Sequence, residues 1–557
     1  MSAHLPSDES ALNAARTNPL GRKDLISLAL VVVAAALMFL PGMNAFGILD
    51  PSDGLYAECA REMLELGDWV TPHFNYHPFF EKPILIYWAI LLSYKVFGVS
   101  AWAARLPSVL AAIASVASIF LQCRRFVGRK IALLAALILV SMPLFAVIGH
   151  LCLTDMLVTL FTTVASLSLF SRINDGPFSD LFVAYIALTL TVLAKGPVPA
   201  ILVALTLMIY LVVRGPMASE RWYQMWWRTA LRLHPLAGIA FVLVAASPWY
   251  LLENATTHGA FFQEFFIRQN LGRAAGTVNH QEPWNFYFPY MIGGFFPWWM
   301  PIAYAPGLVL KIWSKRATAS KMRQLALFSL IWSITILVLF SAIKTKLPTY
   351  ILPACPPLAI LCAVAMAVIC RGKKHTALLL TSISAIAGVG MGLTSPFASA
   401  ANHAASAVPK LLILSGICAL FCGFLASSAM VLRRNAASAC KIFVLTSFVS
   451  MALLVPTAIH IYDVQHDKPF RVLLLHCTSP TMALAQMMRD SPAANFYLKR
   501  CVPTLVTKED LTEFVQKQPG KHFLIVTDDV LLFAVQRAPR LTLLHRESKF
   551  SLFCIDK

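Results

Sequence analysis

Eight ionisable side chains crowd one stretch of this 557-residue chain: Asp50, Asp53, Glu58, Arg61, Glu62, Asp68, Glu81 and Lys82. The stretch follows an apolar run, Leu25 to Leu40, in a chain that is 58% hydrophobic and only 13% charged. Charged groups gathered at a membrane boundary are costly to desolvate, so their default reading is a working site. The carboxylates can serve as a base or hold a metal, and Arg61 and Lys82 can hold a phosphate. The plain alternative is a solvated loop whose charges merely stay wet.

The remainder of the chain must position these groups. Soluble proteins average about 25% charged residues. Here apolar runs of roughly 17 to 25 residues, each able to cross a hydrocarbon core of about 30 Å, recur from residue 25 to about 459. They predict an all-α polytopic membrane protein. The formal net charge of +19 then reflects Lys and Arg kept on the cytoplasmic side, with no nucleic-acid partner implied. No zinc-ligand spacing, glycine-rich phosphate loop or GxSxG motif stands out, which argues against an attached nucleotide-hydrolysing domain. Residues 1–23 are polar, end in Arg22-Lys23 and precede a run without a small-residue cleavage site. A cytoplasmic tail ahead of a retained signal anchor is expected. Most cysteines lie inside apolar runs. Only Cys477, Cys501 and Cys554 fall in the polar C-terminal region, which allows one disulfide at most, Cys477–Cys501 being one pairing.

Charge placement selects a topology. Fourteen apolar candidates can be drawn between residues 24 and 459. Pro83 to Gly98 is short, carries Lys95 and is rich in Tyr and Trp, as interfacial helices are. With that segment lying at the interface, the clusters Arg22-Lys23, Arg124 to Lys130, Arg214 to Arg232, Lys311 to Arg323, Arg371 to Lys374 and Arg433 to Lys441 share one side. The result is about 13 spans within residues 24–460, with the N-terminus inside and the C-terminus outside. The outer face then collects the Asp50 to Lys82 loop, His150 to Asp155, Lys195-Gly-Pro197, Glu253 to Trp284, and Lys344 to Tyr350. Convergence of separated polar segments on one face predicts an outward-facing active site. A transporter would place its charged or helix-breaking positions near the bilayer midplane instead. After about His460, strand-like and helix-like stretches alternate: Phe523 to Val526, Lys508 to Gln518, and a hairpin through Leu541 to Leu544 and Phe550 to Ile555. Residues 461–557 are therefore expected to form a small α/β domain outside the membrane, with a lid or structural role.

Those loops carry a resemblance. The pieces Asp-Gly-Leu-Tyr-Ala-Glu-Cys-Ala-Arg-Glu-Met (53–63), Gly-Asp-Trp (67–69), Glu-Lys-Pro (81–83), Ala-Ala-Arg-Leu-Pro-Ser (103–108), Thr-Asp (154–155), Ala-Lys-Gly-Pro (194–197), His-Gln-Glu-Pro-Trp (280–284) and Lys-Thr-Lys-Leu-Pro-Thr-Tyr-Ile-Leu-Pro (344–353) resemble the lipid A aminoarabinose transferases and bacterial members of the protein-mannosyltransferase superfamily, the GT-C glycosyltransferases. The resemblance implies a GT-C fold in a bacterial inner membrane. It also implies transfer of a sugar from a polyprenyl-phosphate carrier to lipid A or another envelope acceptor on the periplasmic face. Lys82 looks like the family's phosphate-binding lysine, with Arg61, Arg268, Arg273, Lys344 and Lys346 as helpers, while Tyr87, Trp88 and Tyr350 line the lipid groove. The family's first-loop Asp-Glu is Ser52-Asp53 here, so the catalytic carboxylate falls to Asp53 or Asp50, with Asp155 orienting the site. An acceptor already anionic would need little deprotonation. Glu81 matches a position that holds a divalent metal in some relatives, with His280 as its candidate partner. A different glycan, lipid or protein acceptor, or a lipid-linked sugar transporter, are the competing readings.

Overall fold

The computed structural model describes residues 20–214, 222–272, 281–313, 321–371, 407–432, 435–479, 482–488, 491–517, 521–527 and 541–555. Among them, six helices are long and apolar enough to cross a membrane: Ala101–Val140, Thr154–Ile173, Tyr223–Thr256, Lys321–Ala342, Pro348–Cys370 and Ala437–His466. Leu85–Phe97, inside the segment read as interfacial, has 13 residues. At 1.5 Å per residue it reaches only about 20 Å, too short for a span. Gly128 takes φ 76° and breaks Ala101–Val140 in two, where the sequence places the Arg124 to Lys130 loop. The expected single span over 287–310 is instead two helices, Tyr287–Gly294 and Trp299–Trp313. Pro297 lacks an N–H and restricts Phe296 before it, so the helix cannot run through. The apolar run 376–395 lies outside the described residues.

The chain divides into two compact units. The first comprises Met1–Gly42, Phe80–Ile86 and Ser108–Thr457. Its centre is the hairpin of Thr154–Ile173 and Ser179–Lys195. Thr154 Oγ1 donates to the Ala194 carbonyl at 2.9 Å and ties the open ends of the two helices together. At the turn end, acids in first helical turns meet arginines: Asp24 with Arg124 at 3.0 Å and Asp180 with Arg125 at 2.9 Å. Near this end an aromatic cluster locks four helices. Phe170 stacks on Phe328 with centroids 4.9 Å apart, and Phe126, Tyr210 and Trp332 complete the group.

The second unit comprises Met43–Phe79, Tyr87–Pro107 and Ala458–Lys557. Its C-terminal part is a mixed five-stranded sheet. β1 (His73–Phe74) and β2 (His77–Pro78) form a separate ribbon. The main sheet has β3 (Ala483–Met487), β4 (Thr504–Leu505), β5 (His522–Thr527), β6 (Leu541–Glu547) and β7 (Phe550–Ile555) in the order β4-β3-β5-β7-β6. The hairpin expected at the C-terminus is β6–β7, antiparallel, and the amphipathic stretch is the helix Lys508–Lys517. Leu484, Ile525 and Leu552 pack on one side with Phe470 and Leu473. Among the described residues no disulfide forms: Cys477 donates to the Leu473 carbonyl, and Cys501 faces Asn75.

Candidate active site

Four helix ends of the first unit enclose a cavity of about 140 Å³. Its polar lining is Glu81, Lys82, Lys195, Gln269, Asn270, Thr345 and Tyr350. These residues all sit in loops or at helix termini. The walls lie one to three turns inside the helices and are mostly apolar: Val158, Leu202 and Val203, Trp332 and Ile336, with Thr162 donating its hydroxyl to the Val158 carbonyl. The cavity is therefore charged at its lip and greasy along its walls.

Lys195 ends its helix, where a cation complements the helix dipole. Its Nζ lies 2.5 Å from Asp155 Oδ1 and 4.6 Å from the centre of the Tyr350 ring. Asp155 stands in the first turn of Thr154–Ile173, and no side chain caps that helix; the aspartate is spent on Lys195. Lys82 borders the same cavity and donates to the Glu81 carbonyl at 3.2 Å. Gly196 follows Lys195 at φ +83°, and a Cβ there would meet Phe265 at 2.9 Å. Only glycine allows the π-helical segment Phe262–Gly272, which carries Gln269 and Asn270, to approach so closely.

The other expected phosphate ligands of this unit lie elsewhere. Lys346 is buried, with Nζ donating to the Glu282 and Ile343 carbonyls at 2.8 and 2.5 Å; burial pulls its amine below the usual lysine value. It pins a loop. Lys344 is exposed. Arg268 is largely solvent-facing and pairs with Glu264 at 3.2 Å. Arg273 and His280 lie outside the described residues. Among the described residues, no three His, Cys, Asp or Glu side chains converge to hold a metal ion; the pairing of Glu81 with His280 lies outside them.

In the second unit, the first-loop acids hold the backbone. Asp53 accepts from Arg105 Nη2 at 2.5 Å and from the Leu49 amide at 3.0 Å. Arg105, fully buried, also donates to the Met43 and Phe46 carbonyls at 3.1 and 2.9 Å. Asp50 accepts from Ser491 and from the Ala493 amide. Arg61 is claimed by acids of its own helix, with two bonds of 2.8 Å to Glu58 and one of 2.5 Å to Glu65. These bonds and the two carboxylates' charge compete with any phosphate for Arg61. Tyr87 packs 5.9 Å from Tyr56, and Trp88 donates to the Trp69 carbonyl at 2.7 Å. Of the three residues expected in the lipid groove, Tyr350 is the cavity-lining one.

Two ammonium groups above an apolar cleft suit an anionic head on a hydrocarbon tail. Known proteins match this chain. The family model described as dolichyl-phosphate-mannose-protein mannosyltransferase matches residues 81–251. The undecaprenyl phosphate-alpha-4-amino-4-deoxy-L-arabinose arabinosyl transferase of Pectobacterium atrosepticum is 30% identical over 430 residues, 74% of this chain and 73% of the relative. The chain belongs to this arabinosyl transferase family. A second family member, from Pectobacterium carotovorum subsp. carotovorum, is 30% identical over 73% of this chain and 71% of its own. The crystal structure of ArnT from Cupriavidus metallidurans bound to undecaprenyl phosphate shares the fold at a TM-score of 0.73 and 22% identity, covering 96% and 98% of the two chains. The archaeal oligosaccharyltransferase AglB from Archaeoglobus fulgidus is a more distant fold relative, with a TM-score of 0.52, 10% identity, and 91% and 70% covered.

Against this family background, the sequence reading missed four site residues as actors. Lys195 and Arg105 stand inside motifs of the resemblance, Lys195 also on the outer face, but the resemblance assigns neither a role. A lysine closing an apolar run is a usable signal for the first. Thr345 stands inside the Lys344 to Tyr350 segment and Gln269 inside Glu253 to Trp284; what distinguishes both is an unmet hydrogen bond.

Proposed function

We propose that this protein transfers 4-amino-4-deoxy-L-arabinose from undecaprenyl phosphate to an envelope acceptor such as lipid A, on the periplasmic face of a bacterial inner membrane. One observation carries the reading: Lys82 and Lys195 border one apolar cavity in a chain of the arabinosyl transferase family. The carrier phosphate gains charge as the sugar leaves, and cations already in place stabilise that charge without reorganising. The apolar walls take the first part of the polyprenyl tail. Asp155, bonded to Lys195, fixes the ammonium and supplies a carboxylate at the lip. Asp53 and Asp50 serve by holding the first loop. An acceptor phosphate, as on lipid A, arrives anionic and needs little help from a base. The finer topology belongs to the same proposal: about 13 spans, the N-terminus cytoplasmic and residues 461–557 periplasmic.

The decisive experiment is mass spectrometry of lipid A and of extracted polyprenyl lipids, with and without the gene. Loss of an aminoarabinose-sized increment from lipid A, with accumulation of the loaded carrier, is expected. Unchanged lipid A with an altered glycan or protein would move the acceptor elsewhere. Accumulation of carrier on one leaflet only would favour a transporter.

A further inference from the structure

Two polar atoms on the cavity-lining residues lack a partner. Gln269 and Thr345 both line the cavity and are at least nine-tenths buried. Among the described residues, Gln269 Oε1 and Thr345 Oγ1 make no hydrogen bond. A buried polar group without a partner is costly, so each one calls for an explanation.

The chemistry of each atom narrows the explanation. Gln269 Nε2 donates to Glu264 Oε1 at 2.8 Å. A carboxylate only accepts, so the amide has one possible orientation, with its carbonyl oxygen left over. A carbonyl oxygen takes an O–H or N–H group and repels a phosphate oxygen. Thr345 sits on a fixed backbone: it bridges Gln281, while the Glu282 amide donates to the Lys344 carbonyl at 3.1 Å. Its hydroxyl can give one hydrogen bond and receive up to two. The two lysines at the lip provide cations for a phosphate. These two neutral groups provide what a sugar's hydroxyl or amino groups need.

We infer that Gln269 Oε1 and Thr345 Oγ1 bind the polar groups of the donor's sugar and help set which sugar the cavity accepts. The assignment rests on the transferase reading above. It divides the lip into a cationic part for the phosphate and a neutral part for the sugar, with Glu264 positioning the amide.

The test uses the full chain in proteoliposomes with undecaprenyl phosphate-aminoarabinose as donor. Thr345→Val and Gln269→Met should each raise the donor KM roughly five- to tenfold, the size of one lost hydrogen bond. Inhibition by sugar-free undecaprenyl phosphate should not change, and Thr345→Ser should restore the donor KM. Thermal midpoints of the variants establish that they fold. Parallel loss of sugar-free carrier binding would overturn the assignment in favour of a carrier site. An unchanged donor KM in folded variants would also overturn it, leaving water as the partner of both groups. A wild-type chain that consumes no donor would instead overturn the transferase reading itself.

Discussion

Asp53 Oδ2 lies 2.5 Å from Arg105 Nη2, and both side chains are sealed from water. The pair joins residues 52 positions apart and fastens the first loop through the carbonyls that Arg105 also holds. Asp53→Asn leaves a buried guanidinium without its counter-charge. Breaking such a pair from one side costs about 3–5 kcal/mol. The expected result is a clear drop in thermal midpoint in detergent, together with reduced turnover. Full stability with a turnover loss of about 10²-fold or more would instead make Asp53 the catalytic base.

Lys82→Ala should nearly abolish transfer while leaving insertion and folding intact. Removing a preorganised cation from the carrier phosphate costs about 2–4 kcal/mol of transition-state stabilisation, a thirty- to thousandfold loss of rate. Turnover in membranes at matched expression is the measurement, and near wild-type activity would refute the role. Lys195→Ala is expected to lose a similar factor. Asp155→Asn should be milder, since Lys195 keeps its place over Tyr350.

Stability should fall as pH rises through neutrality, and Glu58 is the cause. Burial, helped by nearby Glu62, raises the Glu58 carboxyl from 4.5 to about 7 against the pull of Arg61. The folded chain therefore holds this proton more tightly than the unfolded one. The stabilisation is complete below pH 4.5 and is lost as pH rises through 7, an effect on the order of 3 kcal/mol. Thermal midpoints between pH 5 and 8 should decline for the wild type and stay flatter for Glu58→Gln. Parallel profiles would sink this account.

Gly196→Ala should damage the cavity without touching a charge. The substitution strains a left-handed backbone and presses on Phe265, at about 1–2 kcal/mol. A higher donor KM at little-changed expression is expected. An unchanged KM would show that the Phe265 side chain moves aside freely.

Reporter fusions test the membrane orientation. A fusion at Gly128 should report the cytoplasm and one after Lys557 the periplasm. A periplasmic signal at Gly128 would end both the 13-span topology and the shared outer face.

Much of this was legible in the sequence, for reasons that differ by residue. Lys82 was readable because Glu81-Lys82-Pro83 interrupts apolar sequence at a span boundary, where few charges are tolerated without use. The β6–β7 hairpin was readable from two short apolar runs around a turn. Arg61 shows how composition misleads. Glu58 and Glu65 stand three residues before it and four after it, the spacing at which helical side chains pair, so its partners were visible and were passed over. Arg105 as the partner of Asp53 was not visible, since nothing local links positions that far apart. The sequence marks the segments around Gln269 and Thr345 but not their orphaned atoms, because a missing partner exists only once the chain is folded.

The aromatic cluster has a consequence for the membrane as a barrier. Trp332 lines the cavity and contacts Phe328, which stacks on Phe170 beneath it. Phe170 lies eight residues past Thr162 along its helix, about 12 Å deeper. Below the polar lip, the four helices thus meet through packed aromatic rings. A cell that depends on an ion gradient can keep a pocket in its membrane only if the pocket has a floor, and closely packed rings below the lip are the material for one. The lysines are then reached from the end of the cavity at which the polar lip lies.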